Sequence, residues 1–295
     1  MVTPLRIRIV DGSLAGLSAA VLLRRDGHDV TVYERSVHGL EGRGAGLLGK
    51  RETFAIVRAA GCEHVAHIGV VARERIMFME NTATIDRNMA PQMQISWDTL
   101  YRTFRQLLPE NSYMLARKAA SVREDGNHAY IAFDDGGEDH ADLVIGADGI
   151  ASVARAAVNG LQTESIFAGY VGWRGLIPET SLPDFAASEL KDRFAFYGMP
   201  RSHIVAFPVA GPLGETEPGS RRYNWVWYRP AHCEDGRIAM LTDARGQVHP
   251  YSLPPGSVPE RTRCPACRRS EIVAALASEC HRGDGPTIRT GRLRL

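Results

Sequence analysis

The earliest residues with chemistry to offer are Asp11-Gly12-Ser13-Leu14-Ala15-Gly16, a glycine-bearing turn between an apolar run and a helical one. In a G-x-G-x-x-G turn the first glycine makes a tight bend and the second lets backbone approach a pyrophosphate. The third lets helix and strand pack closely. Of these three only Gly16 is present. Ser13 holds the middle position, where its hydroxyl or amide can reach phosphate, and Leu14 opens the helix. Asp11 puts a carboxylate near a helix N-terminus that attracts anions. Its repulsion of a phosphate there is on the order of 1 kcal/mol or more if it is poorly solvated. Glu34 stands 18 residues after Gly16, where an acidic side chain at a strand end grips the hydroxyls of an adenosine ribose. The plainer alternative is an ordinary strand-to-helix connection with a solvated carboxylate.

The elements that must position these residues are legible on both sides. Leu5 to Val10 is a short apolar strand, Leu14 to Arg25 has helical periodicity with small residues at Ala15, Gly16, Ala19 and Ala20, and Asp29 to Glu34 alternates as a second strand. Together they predict a βαβ unit. Arg73 to Ser96 is extended and polar, and Trp97 to Leu108 reads as an amphipathic helix with Ser96 as a candidate cap. A hairpin is expected at Asp135 to Gly137, and YVGWRGLI, RFAFYGM, HIVAFPV and RYNWVWYRP read as aromatic-rich strands of an antiparallel sheet.

The chain has 295 residues, 44% of them hydrophobic, with 35 Lys plus Arg against 34 Asp plus Glu. That is enough apolar chain for a sizeable core. The near balance of charge, without a basic stripe before the C-terminal end, argues against a nucleic-acid partner. The apolar stretch in LAGLSAAVLLRR is too short to span a bilayer and has no basic leader, so no membrane partner and a cytoplasmic location are expected. Five cysteines in a chain of this size do not make a disulfide framework. Cys264-x-x-Cys267 with Cys280-His281 is superficially zinc-like, but adjacent residues reach one ion poorly, and no metal site is expected.

DGSLAGLSAAVLLRRDGHDVTVYERS resembles the N-terminus of the flavin-dependent aromatic hydroxylases, and LVIGADGIASVAR (Leu143 to Arg155) resembles their second fingerprint. The resemblance covers roughly Arg6 to Gly256. It implies an α/β fold: a Rossmann-like FAD-binding layer with an interleaved antiparallel substrate-binding sheet, the C-terminal part of the family fold missing. FAD-binding segments are expected at 1–72 and 97–164 and substrate-sheet segments at 73–96 and 165–258. The implied cofactors are FAD and NAD(P)H as reductant. Gly12, Ser13, Leu14, Gly16, Glu34 and Arg35 would hold the adenosine and pyrophosphate, and Asp148 and Gly149 would face the pyrophosphate region. GLEGRGAGLL resembles the loop beside the isoalloxazine ring, which points to Arg43 and Gly46, and Arg102 matches a helix position that reaches a pyrophosphate oxygen. Trp97 stands where many relatives carry an arginine, which puts one of their contacts in doubt.

The implied reaction is hydroxylation of an electron-rich aromatic or dihydroxypyridine-like ring with O2. For it the sheet offers Tyr197 and Trp225 as substrate-pocket candidates and His203 as the candidate catalytic residue, although an aromatic or histidine on such a strand is more often packing. The expected partners are the small aromatic substrate and O2, and the resemblance leaves room for a homodimer.

After about Pro259 the text changes. RTRCPACRRS and CHRGDGPTIRTGRLRL hold eight arginines and three of the five cysteines, with few large apolar residues. A basic disordered tail competes with a shifted reading frame in a GC-rich gene, and the lack of any sustained period favours the latter for 259–295. The family's third fingerprint, a Gly-Asp after an apolar strand, is not expected at Gly283-Asp284. The rival functional reading is therefore a non-catalytic flavoprotein fragment or pseudoenzyme.

Overall fold

The computed structural model describes residues 3–42, 46–64, 69–79, 86–160, 165–231, 234–254 and 256–259. Along the chain run β1 (Arg6–Val10), α1 (Leu14–Arg25), β2 (Asp29–Tyr33), β3 (Gly46–Leu48), α2 (Arg51–Ala59), β4 (Val70–Met79), β5 (Asp86–Ser96) and α3 (Trp97–Gln106). There follow β6 (Tyr113–Met114), β7 (Ala119–Glu124), β8 (Ala129–Phe133), β9 (Glu138–Ala141), β10 (Leu143–Gly146) and α4 (Ala154–Asn159). The last group is β11 (Tyr170–Pro178), α5 (Asp184–Leu190), β12 (Arg193–Met199), β13 (Ser202–Val209), β14 (Arg222–Pro230) and α6 (Glu234–Leu241). The chain divides into two compact units. The first comprises 1–44, 50–67 and 97–166, the second 45–49, 68–96 and 167–295.

In the first unit a parallel sheet has the order β10-β1-β2-β6, with a three-stranded antiparallel sheet β7-β8-β9 beside it in sequence. The βαβ unit forms because β1 and β2 alternate so that Ile7, Ile9, Val30 and Val32 are all buried. α1 buries Gly16, Leu17, Ala20 and Val21, a single helical stripe. Each fully buried aliphatic side chain contributes about 1.5–3 kcal/mol. Arg24 and Arg25 sit in the last turn of α1, where cations oppose the helix dipole favourably, and Gly27 at φ +93° turns the chain into β2. On the polar face of β1, Arg8 is tied to Asp139 at 2.6 Å and to Asp29 at 3.3 Å. The Tyr33 hydroxyl donates to the same Asp139 carboxylate.

The second unit is one mixed seven-stranded sheet, order β11-β14-β13-β12-β4-β5-β3, in which β12 runs parallel to β4 and the other neighbours are antiparallel. The composition shift at Arg73 falls inside β4, whose register with β5 begins at Val70. β3 joins this sheet because its partner is β5. One face is covered by α5: Ala186 and Leu190 pack with Ile76, Ala195, Tyr197, Ile204, Ala206, Tyr223 and Trp225. Buried Arg221 crosses the end of this core, bonding Glu179 at 2.5 Å and Asp192 at 2.7 Å.

Ser96, the candidate helix cap, closes β5, and its hydroxyl accepts from Arg222. The expected atypical segment lies outside the described residues apart from Pro259, and with it the Cys264, Cys267, Cys280 and His281 set. Among the described residues no cluster of His, Cys, Asp or Glu could hold a metal ion. No helix among them is long and apolar enough to cross a membrane.

Candidate functional site

The turn between β1 and α1 is organised by Glu34. Its carboxylate accepts the Gly12 amide at 2.9 Å and the Ser36 amide at 2.7 Å, and the residue is 1% exposed. Burial pushes the Glu34 carboxyl above the usual range and nearby Asp11 adds to that, while the two amides pull the other way. Glu34 thus spends one acceptor site on each of two backbone amides. The second lone pairs of its oxygens are what it has to offer a ribose hydroxyl. Arg35, next to it, is exposed.

Gly16 is needed for packing, since a Cβ there would overlap the Asp11 carbonyl oxygen. Asp11 itself stands at φ +85°, the left-handed backbone for which a glycine is suited. Its carboxylate accepts the Ser13 amide at 3.2 Å. Asp11 therefore occupies a donor at the helix N-terminus that would otherwise face an anion. Ser13 is the N-cap residue of α1 without a side-chain cap bond, and half-buried Leu14 follows as its first residue. The first-turn amides of a helix have no intrahelical acceptor, so those of Leu14, Ala15 and Gly16 remain as the anion-facing set.

Three residues in this turn's surroundings escaped the sequence reading. Tyr113 donates to the Gly12 carbonyl at 3.0 Å, and a Cβ on Gly12 would meet its ring. Tyr101 contacts the Tyr113 hydroxyl at 3.2 Å and accepts the Leu40 amide. Asp98, buried on α3, accepts the Gly42 amide at 3.2 Å, so α3 holds the glycine loop through two side chains. Their signal was only the amphipathic pattern of α3 and a tyrosine in the short strand beside β2. Arg102 is half-buried on α3. Arg43 lies outside the described residues.

Gly46 lies on β3 in the second unit, where an added Cβ would meet Phe207 and Val209. Asp148 ends the loop after β10. Its carboxylate accepts the Ser152 hydroxyl at 2.6 Å and the Val153 amide at 2.7 Å, so it caps the turn that opens α4. Gly149, at φ +65°, makes that turn possible.

In the second unit the register separates the three substrate candidates. Tyr197 and Trp225 lie on the face packed with α5, 5% and 3% exposed. His203 pairs with Gly198 and Tyr228, one position out of phase, and is exposed and stacked on Tyr228 at 4.7 Å. His203 therefore does not share a site with Tyr197 and Trp225. The face it does share carries Val205, Phe207, Asn224 and Val226.

A Rossmann-type turn backed by a buried strand-end glutamate is the arrangement of a dinucleotide-binding fold. A family model described as FAD binding domain-like matches residues 167–281. The 2,6-dihydroxypyridine 3-monooxygenase of Paenarthrobacter nicotinovorans is 31% identical over 260 residues, 85% of this chain and 63% of the relative. The 3-amino-4-hydroxybenzoate 2-monooxygenase of Streptomyces cremeus is 34% identical over 219 residues, 70% of this chain and 54% of the relative. The solved structure of 2,6-dihydroxypyridine-3-hydroxylase from Arthrobacter nicotinovorans superposes with a TM-score of 0.77 at 31% identity, over 84% of this chain and 62% of that one. In sequence and fold the chain is similar to these monooxygenases. It spans less than two thirds of the length of these relatives.

Proposed function

We propose that the chain provides the FAD-binding turn and the substrate sheet of a monooxygenase that uses NAD(P)H and O2 to hydroxylate an electron-rich aromatic or dihydroxypyridine-like ring. The observation that carries this reading is the Gly12–Glu34 bond at 2.9 Å, which ties the turn before α1 to the carboxylate that would grip the ribose. Gly12, Ser13, Leu14 and Gly16 would seat the pyrophosphate at the start of α1, and Glu34 would orient the adenosine ribose. Arg35, Arg102, Asp148 and Gly149 would complete the phosphate surroundings. When bound, FAD reduced by NAD(P)H supplies the electrons for O2 activation. The sheet's part is to hold the ring and exclude water.

Asp11 favours a second reading, a flavoprotein that holds FAD weakly, because its carboxylate sits on the Ser13 amide. One set of measurements separates the two. The purified chain is reconstituted with FAD or with flavin mononucleotide, and NAD(P)H oxidation, peroxide and hydroxylated product are followed with 2,6-dihydroxypyridine. Preference for FAD together with product formation supports the monooxygenase reading. FAD-dependent NAD(P)H oxidation that ends only in peroxide supports the second. Equal affinity for the two flavins removes the ribose assignment.

A further inference from the structure

We propose that Gln94 and Asn224 are a substrate-binding pair, two buried carboxamides that hold the polar edge of a neutral, hydroxylated nitrogen heterocycle in its lactam form. The proposal rests on the monooxygenase reading and deepens it by naming the substrate class. Gln94 is 0% exposed, and among the described residues neither its Oε1 nor its Nε2 has a hydrogen-bond partner. Asn224 is 1% exposed, and its Oδ1 accepts the Gly46 amide at 3.4 Å while its Nδ2 has no partner among the described residues. Unmade hydrogen bonds of this kind are costly in a protein interior, and a ligand that completes them offsets the cost.

Both amides adjoin β3. Gln94 and Ser96 alternate on one face of β5, opposite Leu48 and Gly46 of β3. Asn224 reaches Gly46, and Arg222, on the same face of β14, reaches Ser96. Phe207 stands opposite Asn224 on β13, and its ring meets the position where Gly46 lacks a Cβ. Leu48 and Phe207 thus stand opposite the two unsatisfied amides, apolar surface beside a few polar groups, which suits a small molecule.

The chemistry of the donors selects the ligand. A carboxamide presents an N–H beside a C=O, and a lactam presents the complementary C=O and N–H. A carboxylate-bearing ring would call for a cation, yet the Arg222 guanidinium beside the pair is already bonded to the Ala210 carbonyl at 3.1 Å, the Gly211 carbonyl at 3.4 Å and the Ser96 hydroxyl at 3.3 Å. A site built to hydrogen-bond a ring edge discriminates strongly against rings that lack it, because its own groups are then left unpaired.

The test titrates the purified chain calorimetrically with 2-hydroxypyridine, which exists largely as the lactam, and with benzoate, while FAD affinity is measured separately by flavin fluorescence. The wild-type chain is expected to bind 2-hydroxypyridine at least about tenfold more tightly than benzoate. Gln94→Leu and Asn224→Leu should each weaken 2-hydroxypyridine about tenfold, leave FAD affinity unchanged, and melt at or above the wild-type temperature because an unpaired buried amide is gone. Gln94→Met serves as a second variant should leucine pack badly. Unchanged heterocycle affinity in the substituted chains, no heterocycle binding by the wild type, or a preference for benzoate would each overturn the assignment. Heterocycle binding that responds to both substitutions in a chain that does not take up FAD would retain the pair and remove the flavin reading.

Discussion

Asp11 is a single side chain that both strains and blocks. A non-glycine residue held in the left-handed region costs on the order of 1 kcal/mol or more, and here φ is +85°. The same residue places a carboxylate on the Ser13 amide. Asp11→Gly is therefore expected to raise stability by about 1 kcal/mol. It should also tighten FAD about tenfold by releasing that amide and removing a negative charge from a helix N-terminus. Chemical denaturation and flavin-fluorescence titration check the two effects independently. Equal FAD affinity in the two chains would show that phosphate does not approach this amide. The sequence already displayed Asp11 in a glycine position and Glu34 at its distance from Gly16. It did not display Tyr113, which reaches Gly12 from 101 residues away through the pairing of β6 with β2.

At the scale of elements, two charged knots hold strands that hydrophobic patterning alone does not fix. Burial pushes the Asp139 carboxyl upward, but the bonds from the Tyr33 hydroxyl and the Arg8 guanidinium outweigh it and leave the group below the usual carboxylate range. A carboxyl depressed on folding contributes stability that is present above its unfolded pKa of about 4 and lost as pH falls below it. Asp139→Asn is expected to cost about 1–2 kcal/mol at pH 7, and the gap between its melting curve and the wild type's should close as pH is lowered from 5 to 3. A gap independent of pH would assign the effect to shape rather than charge. Arg221 is the second knot, with its side chain 4% exposed and Glu179 11% exposed. Arg221→Leu strands Glu179 and should cost about 3 kcal/mol, most of which the double variant with Glu179→Leu should recover. Urea denaturation measures both, and simple additivity of the two losses would contradict the pairing. The strands themselves were legible as aromatic runs. Which face each aromatic takes was not, because RYNWVWYRP carries bulky residues at both parities, and only pairing with β13 and β11 assigns Trp225 to the α5 side.

For the whole molecule, neither unit is a continuous stretch of chain: the path crosses from one to the other at residues 44, 49, 67, 96 and 166. Folds dominated by pairings between distant residues refold slowly, on millisecond to second timescales. Stopped-flow tryptophan fluorescence is expected to show refolding in that range or slower, and completion within microseconds would contradict the described topology. The pairing of β1 with β10 carries this into biosynthesis. Val10 meets Gly146 in the parallel sheet, so β1 cannot complete its sheet until residues 11–146 have followed it. At roughly 5–20 residues per second, that delay amounts to about 7–27 seconds. Throughout it, the edge of β1 that later receives β10 is exposed to whatever else can pair with it. Yield in the cell is thus tied to translation speed across 11–146 and to chaperone supply, and faster synthesis of that stretch shortens the vulnerable interval.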